Sequence, residues 1–296
     1  MPYGIDGVPW GSRSRSASAG PVVKRRRRRR RLALLGVLVV LVAVALIALG
    51  VSFAFRSTPV RAVGPACTTQ TPTGMTALDL EQAANATTIA AVGKRLGMPD
   101  HAVTVALATA LQESRLRNLN YGDRDSLGVF QQRPSQGWGT PAQILVPATA
   151  AATFYQHLNM VKGWENLSVA DAAQSVQRSA APDAYAQWEG QAQAMAEALT
   201  GEVPAAFSCR LPTTPGRSLD PGLVQAMDGE LGAPGLGAAV SDARGWTVAS
   251  WLIGHADQYG ITAVSFNGQR WTTESGAWKP APTAGATVEV TPPPAV

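Results

Sequence analysis

A mainly α domain behind one membrane-spanning helix, followed by a small α+β module, is the fold class that this 296-residue chain predicts. Three observations predict it. An uncharged apolar run, Leu32 to Phe55, follows a block of arginines; apolar residues then recur at helical spacing through the middle of the chain; and near the end a strand-like run meets an Asn267-Gly268 turn signal.

The net charge of +5 is unevenly placed. Residues 1–31 hold ten Lys or Arg against one Asp, whereas the remaining 265 residues hold fifteen basic and nineteen acidic side chains. The basicity is therefore a local tail rather than a binding face, which argues against nucleic acid as a partner. That tail lacks apolar periodicity and reads as a disordered cytoplasmic segment. The apolar run over 32–55 would make a helix of roughly 36 Å, long enough to cross a hydrocarbon core. Positive charge on its N-terminal flank would keep the tail inside, giving a single-pass protein of the cell membrane with its main domains extracytoplasmic. A cleaved signal peptide is the competing view; the length of the run and the lack of a small-residue cleavage site speak against it.

Two cysteines, Cys67 and Cys209, both follow the apolar run. An extracytoplasmic location permits their oxidation, so one disulfide joining the entry and exit of a domain over 76–209 is expected. The histidines His101, His157 and His255 have no paired ligand spacing, and neither a metal nor another cofactor is expected.

Within that domain the signals are helical. Thr76 or Asp79 can cap a helix that ends near Leu96, with Gly97 and Pro99 as stop signals. Val103, Leu107, Ala110, Leu111 and Ser114 recur at three- and four-residue steps, predicting a helix over 101–116 with one buried face and Asp100 as its N-cap. Glu113 falls in the last turn. There the negative end of the helix dipole and apolar neighbours such as Phe130 or Trp138 would raise its pKa, as a general acid requires. The loop 119–139 is rich in Asp, Gly, Ser and Gln and reads as a short hairpin. Further helices are expected after Pro147, after Ser168, and from about Ala184 to Thr200.

Gln112-Glu113-Ser114, Tyr121-Gly122-Asp123-Arg124-Asp125-Ser126-Leu127-Gly128 and Phe130-Gln131-Gln132-Arg133-Pro134-Ser135, then Trp138-Gly139-Thr140, occur in that order. Together they resemble the lysozyme-like domain of soluble lytic transglycosylases and goose-type lysozymes, in the branch found in actinobacterial cell-wall proteins. Asp171 to Gln174, Gln177-Arg178-Ser179 and Pro182 to Tyr185 fit the same branch, so the resemblance covers about 78–200. It implies a lysozyme-like fold and a peptidoglycan-cleaving glycosidase or lytic transglycosylase acting on the MurNAc-GlcNAc glycan, with Glu113 as general acid/base.

Asp125, or its neighbour Asp123, is the candidate second catalytic group, positioned to orient water or to stabilise an oxocarbenium-like centre; both also suit turn chemistry. If neither acts, a muramic-acid hydroxyl can close on the anomeric carbon, and one glutamate serves as acid and then base. Gln131 and Gln132 offer amide groups to N-acetyl and hydroxyl substituents, while Tyr121, Trp138 and Tyr185 can stack on sugar faces. Gln131 occupies the family's Gly-x-x-Gln position. Tyr185 sits near a cleft tyrosine of the family, although Ala186-Gln187 replace the usual Asn-Ala after it. Arg133 is a candidate contact for a peptide-stem carboxylate, and Ser114 for tying down the helix end. The implied partners are peptidoglycan strands, the membrane through one helix, and envelope or division proteins. A second reading keeps the cleft as a non-catalytic peptidoglycan-binding surface.

Linkers are expected over 56–75 and 210–221, a small α+β module over 222–280, and an unstructured tail over 281–296. In the module, helices near Pro221 and from Trp246 to Tyr259 precede a strand Ile261–Phe266 and a hairpin into Gln269–Thr273. Gly245-Trp246, Val248 to Leu252, His255-Ala256 and Trp271 resemble part of a domain appended to actinobacterial wall peptidases of the zinc D-Ala-D-Ala carboxypeptidase type. The histidine ligands of such peptidases are missing, which leaves a wall-binding or packing module with His255 on a helix face.

Overall fold

Asp79 starts the first helix with a reciprocal capping box: its carboxylate accepts from Gln82 N at 3.0 Å, and the Gln82 side chain accepts from Asp79 N at 3.0 Å. Helix α1, Leu80–Arg95, ends at Leu96 and Gly97, the latter at φ +73°. Helix α2, Asp100–Ser114, follows with Pro99 at the capping position, and Asp100 in its first turn pairs with Lys94 at 2.7 Å. Asp100 is therefore the first helical residue rather than the cap.

In the computed structural model the described residues are 66–212, 218–233, 236–282 and 285–291. The chain divides into two units at Arg61–Ala62, and every described residue belongs to the second.

The pattern of α2 predicted one buried face, but the helix is buried continuously from Ala102 to Leu111. Its small residues explain this, since Ala102, Ala106, Ala108 and Ala110 allow neighbours to close in on every side. Those neighbours are α1, α4 (Pro147–Met160), α5 (Val169–Gln177), α6 (Glu189–Leu199) and a 3₁₀ segment, Pro182–Trp188. Short α3, Pro141–Ile144, precedes α4 and is capped by Thr140 and Gln143 in a second capping box.

Three strands flank this helical body in the antiparallel order β2-β1-β3: β1 is Ala66–Thr71, β2 Gly74–Leu78 and β3 Phe207–Arg210. The segment 56–75, read as a linker, thus contributes β1 and the start of β2. Cys67 lies directly opposite Cys209 in the β1–β3 register, and the two form the expected disulfide.

The C-terminal region does not stand apart as a separate module. It supplies α7 (Leu223–Glu230), α8 (Asp242–Gly254), α9 (Ala256–Tyr259) and a second antiparallel sheet ordered β6-β5-β4-β7. Its strands are β4 Ala263–Phe266, β5 Gln269–Thr272, β6 Trp278–Pro280 and β7 Glu289–Thr291. The Asn267-Gly268 turn joins β4 to β5 as expected, with φ +46° and +72°. The stretch 281–296, read as unstructured, supplies β7, whose Val290 pairs with Val264.

Two indoles fasten this sheet to the first one. Trp271 Nε1 donates to Cys209 O at 3.0 Å, and Trp278 Nε1 donates to Phe207 O at 2.8 Å. Helix α8 also needs two glycines to seat itself. A Cβ at Gly254 would stand 2.5 Å from Thr87 Oγ1 on α1, and one at Gly245 would stand 1.9 Å from Phe266 Cζ on β4. The buried residues of both regions form one continuous core.

The expected membrane-spanning helix, and the single-pass membrane location built upon it, must be corrected. Among the described residues no helix is long and apolar enough to cross a membrane, and 1–31 and 32–55 lie outside those residues. The longest described helix, α1, has 16 residues, which is roughly 24 Å against the ~30 Å of a hydrocarbon core.

The disulfide closes a separation of 142 residues, and breaking it in a Cys67→Ala/Cys209→Ala variant should cost up to about 5 kcal/mol in the chain-entropy model. Urea unfolding of both proteins measures this. The same titration, followed by tryptophan fluorescence and by helical circular dichroism, should give coincident single transitions because the two regions share a core. Two separated transitions would restore independent modules.

Candidate active site

Helix α2 ends abruptly, and that ending places Glu113. Arg115 and Leu116 both take left-handed backbone, φ +57° and +62°, so the chain reverses with Leu116 fully buried. Helix α1 holds the exit: Gln82 Nε2 donates to Arg115 O at 2.9 Å and Asn85 Nδ2 to Leu116 O at 2.7 Å. Arg117 then pairs with Asp79 and Glu81. On the last turn, Ser114 Oγ donates to Val129 O at 2.7 Å, which docks the following loop against the helix end. Ser114 thus ties down the helix end, as the sequence suggested.

Glu113 is half-buried beside this turn, with Tyr185 Oη donating to its Oε1 at 2.7 Å. Burial raises the carboxyl pKa above its ordinary value, and the tyrosine hydrogen bond partly offsets the rise. The negative end of α2 acts in the same direction as burial. Tyr185 is itself fully buried, and burial together with the charge of Glu113 pushes its phenol well up. It therefore stays a hydrogen-bond donor. Because Oε1 accepts that bond, the proton of the neutral acid belongs on Oε2, which makes no hydrogen bond among the described residues.

The 3₁₀ segment carrying Tyr185 is clamped to the same helix end. Gln112 Oε1 accepts from Gln187 Nε2 at 3.1 Å and from Trp188 Nε1 at 2.8 Å, while the Arg115 guanidinium lies 4.0 Å from the Trp188 ring centre. Sequence reasoning missed this clamp. Its signal was Gln187, one of the two residues after Tyr185 at which the chain differs from the motif it resembles.

The loop after α2 forms a tight hairpin. Leu127 and Gln132 exchange backbone hydrogen bonds at 2.9 Å each, and Gly128, at φ +75°, donates to Leu119 O at 2.7 Å. Gln131 sits in the left-handed region at φ +49°, and its Nε2 donates to Tyr121 O at 3.3 Å and Gly128 O at 3.2 Å. A Cβ at Gly122 would stand 2.7 Å from the backbone oxygen of Ser126, so glycine there is required by the close approach.

Of the other candidates, Gln132 is 1% exposed, with Nε2 donating to Ala150 O at 3.1 Å; it is a core residue joining the hairpin to α4 rather than a sugar ligand. Asp125 accepts from Arg133 Nε at 2.8 Å, from Ser135 N at 2.8 Å and from Ser135 Oγ at 3.0 Å. The Ser135 backbone and the Arg133 and Ser135 side chains hold its carboxyl far below the usual range. The carboxylate that was a candidate second catalytic group is a brace of the loop, and Arg133 is consumed with it. Asp123 is solvent-exposed. Tyr121 is 68% exposed at the loop tip. Trp138 is half-buried against His157, with ring centres 4.0 Å apart at 88°.

His255, read as a helix-face residue, is buried where α8 meets α1. Its Nδ1 lies 2.9 Å from Trp251 O and its Nε2 3.3 Å from Thr88 Oγ1, while Thr88 and Trp251 both donate to Glu230. Among the described residues no three His, Cys, Asp or Glu side chains gather to hold a metal ion. No protein-family model and no curated protein matches this chain.

The raised pKa of Glu113 has a measurable consequence. Folding disfavours its ionised form, so its contribution to stability is fully present below the unfolded-state pKa and is lost as pH rises through the higher folded value. Glu113→Gln keeps an acceptor for Tyr185 without the charge. It should melt above the wild-type protein near pH ~8 and show no such advantage near pH ~4. Thermal melts across that range check it.

Proposed function

We propose that the chain is a peptidoglycan-cleaving glycosidase of the lytic-transglycosylase kind, acting on the MurNAc-GlcNAc glycan with Glu113 as acid and then base. The observation that carries this reading is the Glu113–Tyr185 pair. One carboxyl oxygen is fixed by a permanent donor, the other is left to hold a proton, and burial keeps that proton on at a pH where an exposed glutamate would have lost it.

Cleavage begins with transfer of that proton from Oε2 to the glycosidic oxygen as the bond to the anomeric carbon lengthens. The carboxylate left behind accepts a stronger hydrogen bond from Tyr185 and can take the proton of the incoming hydroxyl. A two-carboxylate mechanism would need a second acid free to act on water or on the anomeric carbon. Asp125 is committed to Arg133 and Ser135, and Asp123 stands in solvent without the burial that shapes Glu113, which favours the route in which the substrate's own muramyl hydroxyl closes the ring.

The test is release of soluble muropeptides from purified sacculi by the full chain. Wild-type protein should release products with anhydro-muramic ends, and Glu113→Gln should lose about 100-fold or more of the rate. Equal and negligible release by both proteins would sink the enzyme reading and leave a peptidoglycan-binding protein. Reducing ends in place of anhydro ends would assign hydrolysis.

Tyr185→Phe provides a second check through its pH profile. Loss of a hydrogen bond that favours the carboxylate raises the Glu113 pKa further, so the alkaline fall in kcat/KM should move to higher pH than in the wild type. An unmoved limb would show that Glu113 does not set the profile.

A further inference from the structure

Beside the hairpin the surface opens into a pocket of about 620 Å³ whose lining includes Gln136, Trp138, His157, Met160, Gln177 and Arg178. Its volume lies in the range typical of small-ligand sites. The turn after Gly128 connects it to the end of the helix that carries Glu113. Ser114 on α2 holds Val129 O at 2.7 Å, and Gln177 in the pocket wall holds the next carbonyl, Phe130 O, at 3.0 Å. The helix end that carries Glu113 and the wall of this pocket thus grip consecutive peptide groups.

Three features give the pocket a chemical preference. Trp138 is an aromatic platform braced edge-on by His157, so its plane is set before any ligand arrives. Gln177 Nε2 is spent on Phe130 O, which leaves its carbonyl oxygen as an acceptor for a hydroxyl or acetamido group. Arg178 caps α5 in left-handed backbone, φ +51°, is exposed, and makes no ion pair among the described residues. Its charge reaches His157, whose pKa is lowered by burial and then by that guanidinium. Arg133, by contrast, is neutralised by Asp125.

We propose that this pocket is a glycan subsite for an amino sugar bearing a carboxylate, with the sugar ring on Trp138 and the carboxylate on Arg178. It rests on the peptidoglycan reading above and deepens it, since it makes the enzyme discriminate a muramyl glycan from a neutral chitin chain. The carboxylate has two sources, the lactyl group of a peptide-free muramyl residue or the terminus of a peptide stem.

The experiment is isothermal titration of full-length Glu113→Gln, which leaves ligands intact. The three probes are chitotetraose, a peptide-free GlcNAc-MurNAc tetrasaccharide and the same tetrasaccharide carrying peptide stems. Arg178→Ala in that background should weaken a carboxylate-bearing ligand roughly tenfold and leave chitotetraose unchanged, while Arg178→Lys recovers part of the loss. An effect on the peptide-free sugar assigns the lactyl carboxylate, and an effect confined to the stem-bearing sugar assigns the stem. Trp138→Ala should weaken all three ligands. Equal losses for charged and neutral ligands on Arg178→Ala, no loss with any, or no binding of any probe would overturn the proposal. If the two pocket variants bind normally while sacculi are still cleaved, the subsite falls and the Glu113 chemistry stands. If the charged ligand binds through Arg178 but no cleavage occurs, the reverse holds.

Discussion

Enclosure of α2 is the constraint on which the remaining structure depends. A helix that buries every residue from Ala102 to Leu111 must surrender its solvent contacts on all sides, and only small side chains let five other segments close around it at van der Waals distance. Buried helix ends bring a second requirement, since terminal carbonyls lose water and must find donors. Here Arg115 N bonds to Leu111 O at 3.2 Å, Leu116 N to Ala110 O at 3.1 Å, and Ser114 Oγ to Ala110 O at 3.2 Å. The left-handed pair Arg115-Leu116 makes that accounting close. It also turns the chain so that Glu113 sits at the edge of the core, half in and half out.

The chemistry proposed for Glu113 depends on that edge position. Full burial would deny it a substrate, and full exposure would return its pKa to the ordinary carboxylate value. The 3₁₀ segment that carries Tyr185 sets the balance, held to α2 through Gln112, Gln187 and Trp188. Around the hairpin the polar side chains divide their labour. Gln132, Asp125 and Arg133 support the loop, and Gln131 braces it through Tyr121 O and Gly128 O, so that Tyr121 and Trp138 remain as the candidate surfaces for a ligand.

The C-terminal region acts on the same framework from the opposite flank of α1. Its indoles satisfy carbonyls of β3, next to and at the disulfide, and Thr247 and Ser250 of α8 donate to Thr200 O and Ala198 O at the end of α6. The Thr88–Glu230–Trp251–His255 group seals the contact of α8 with α1 through hydrogen bonds among three buried residues and a half-buried glutamate. A buried polar cluster of this kind is costly if any member loses its partner, and it fixes the docking of α8 more specifically than apolar packing alone. The description of this region as a small appended module fails for that reason.

The sequence by itself determined what is local. Asp79 with Gln82, the stop at Gly97 and Pro99, the Asn267-Gly268 turn and the rough limits of α4, α5 and α6 follow from capping and turn chemistry that neighbours within a few residues decide. Glu113 on the last turn of its helix and the Cys67–Cys209 pairing were legible in the same way, from position and from having only two cysteines to join. Tertiary structure decided what depends on distant partners. Whether Asp125 faces substrate or Arg133, whether Gln132 reads a sugar or bonds to Ala150, and whether α2 buries one face or all of them are questions of long-range packing that no local pattern encodes. The membrane-spanning expectation illustrates the other limit, since it rested on one apolar run and gained no support from any helix among the described residues. A local pattern specifies what a segment can be. The groups that fill its hydrogen bonds and cover its surface decide what it becomes.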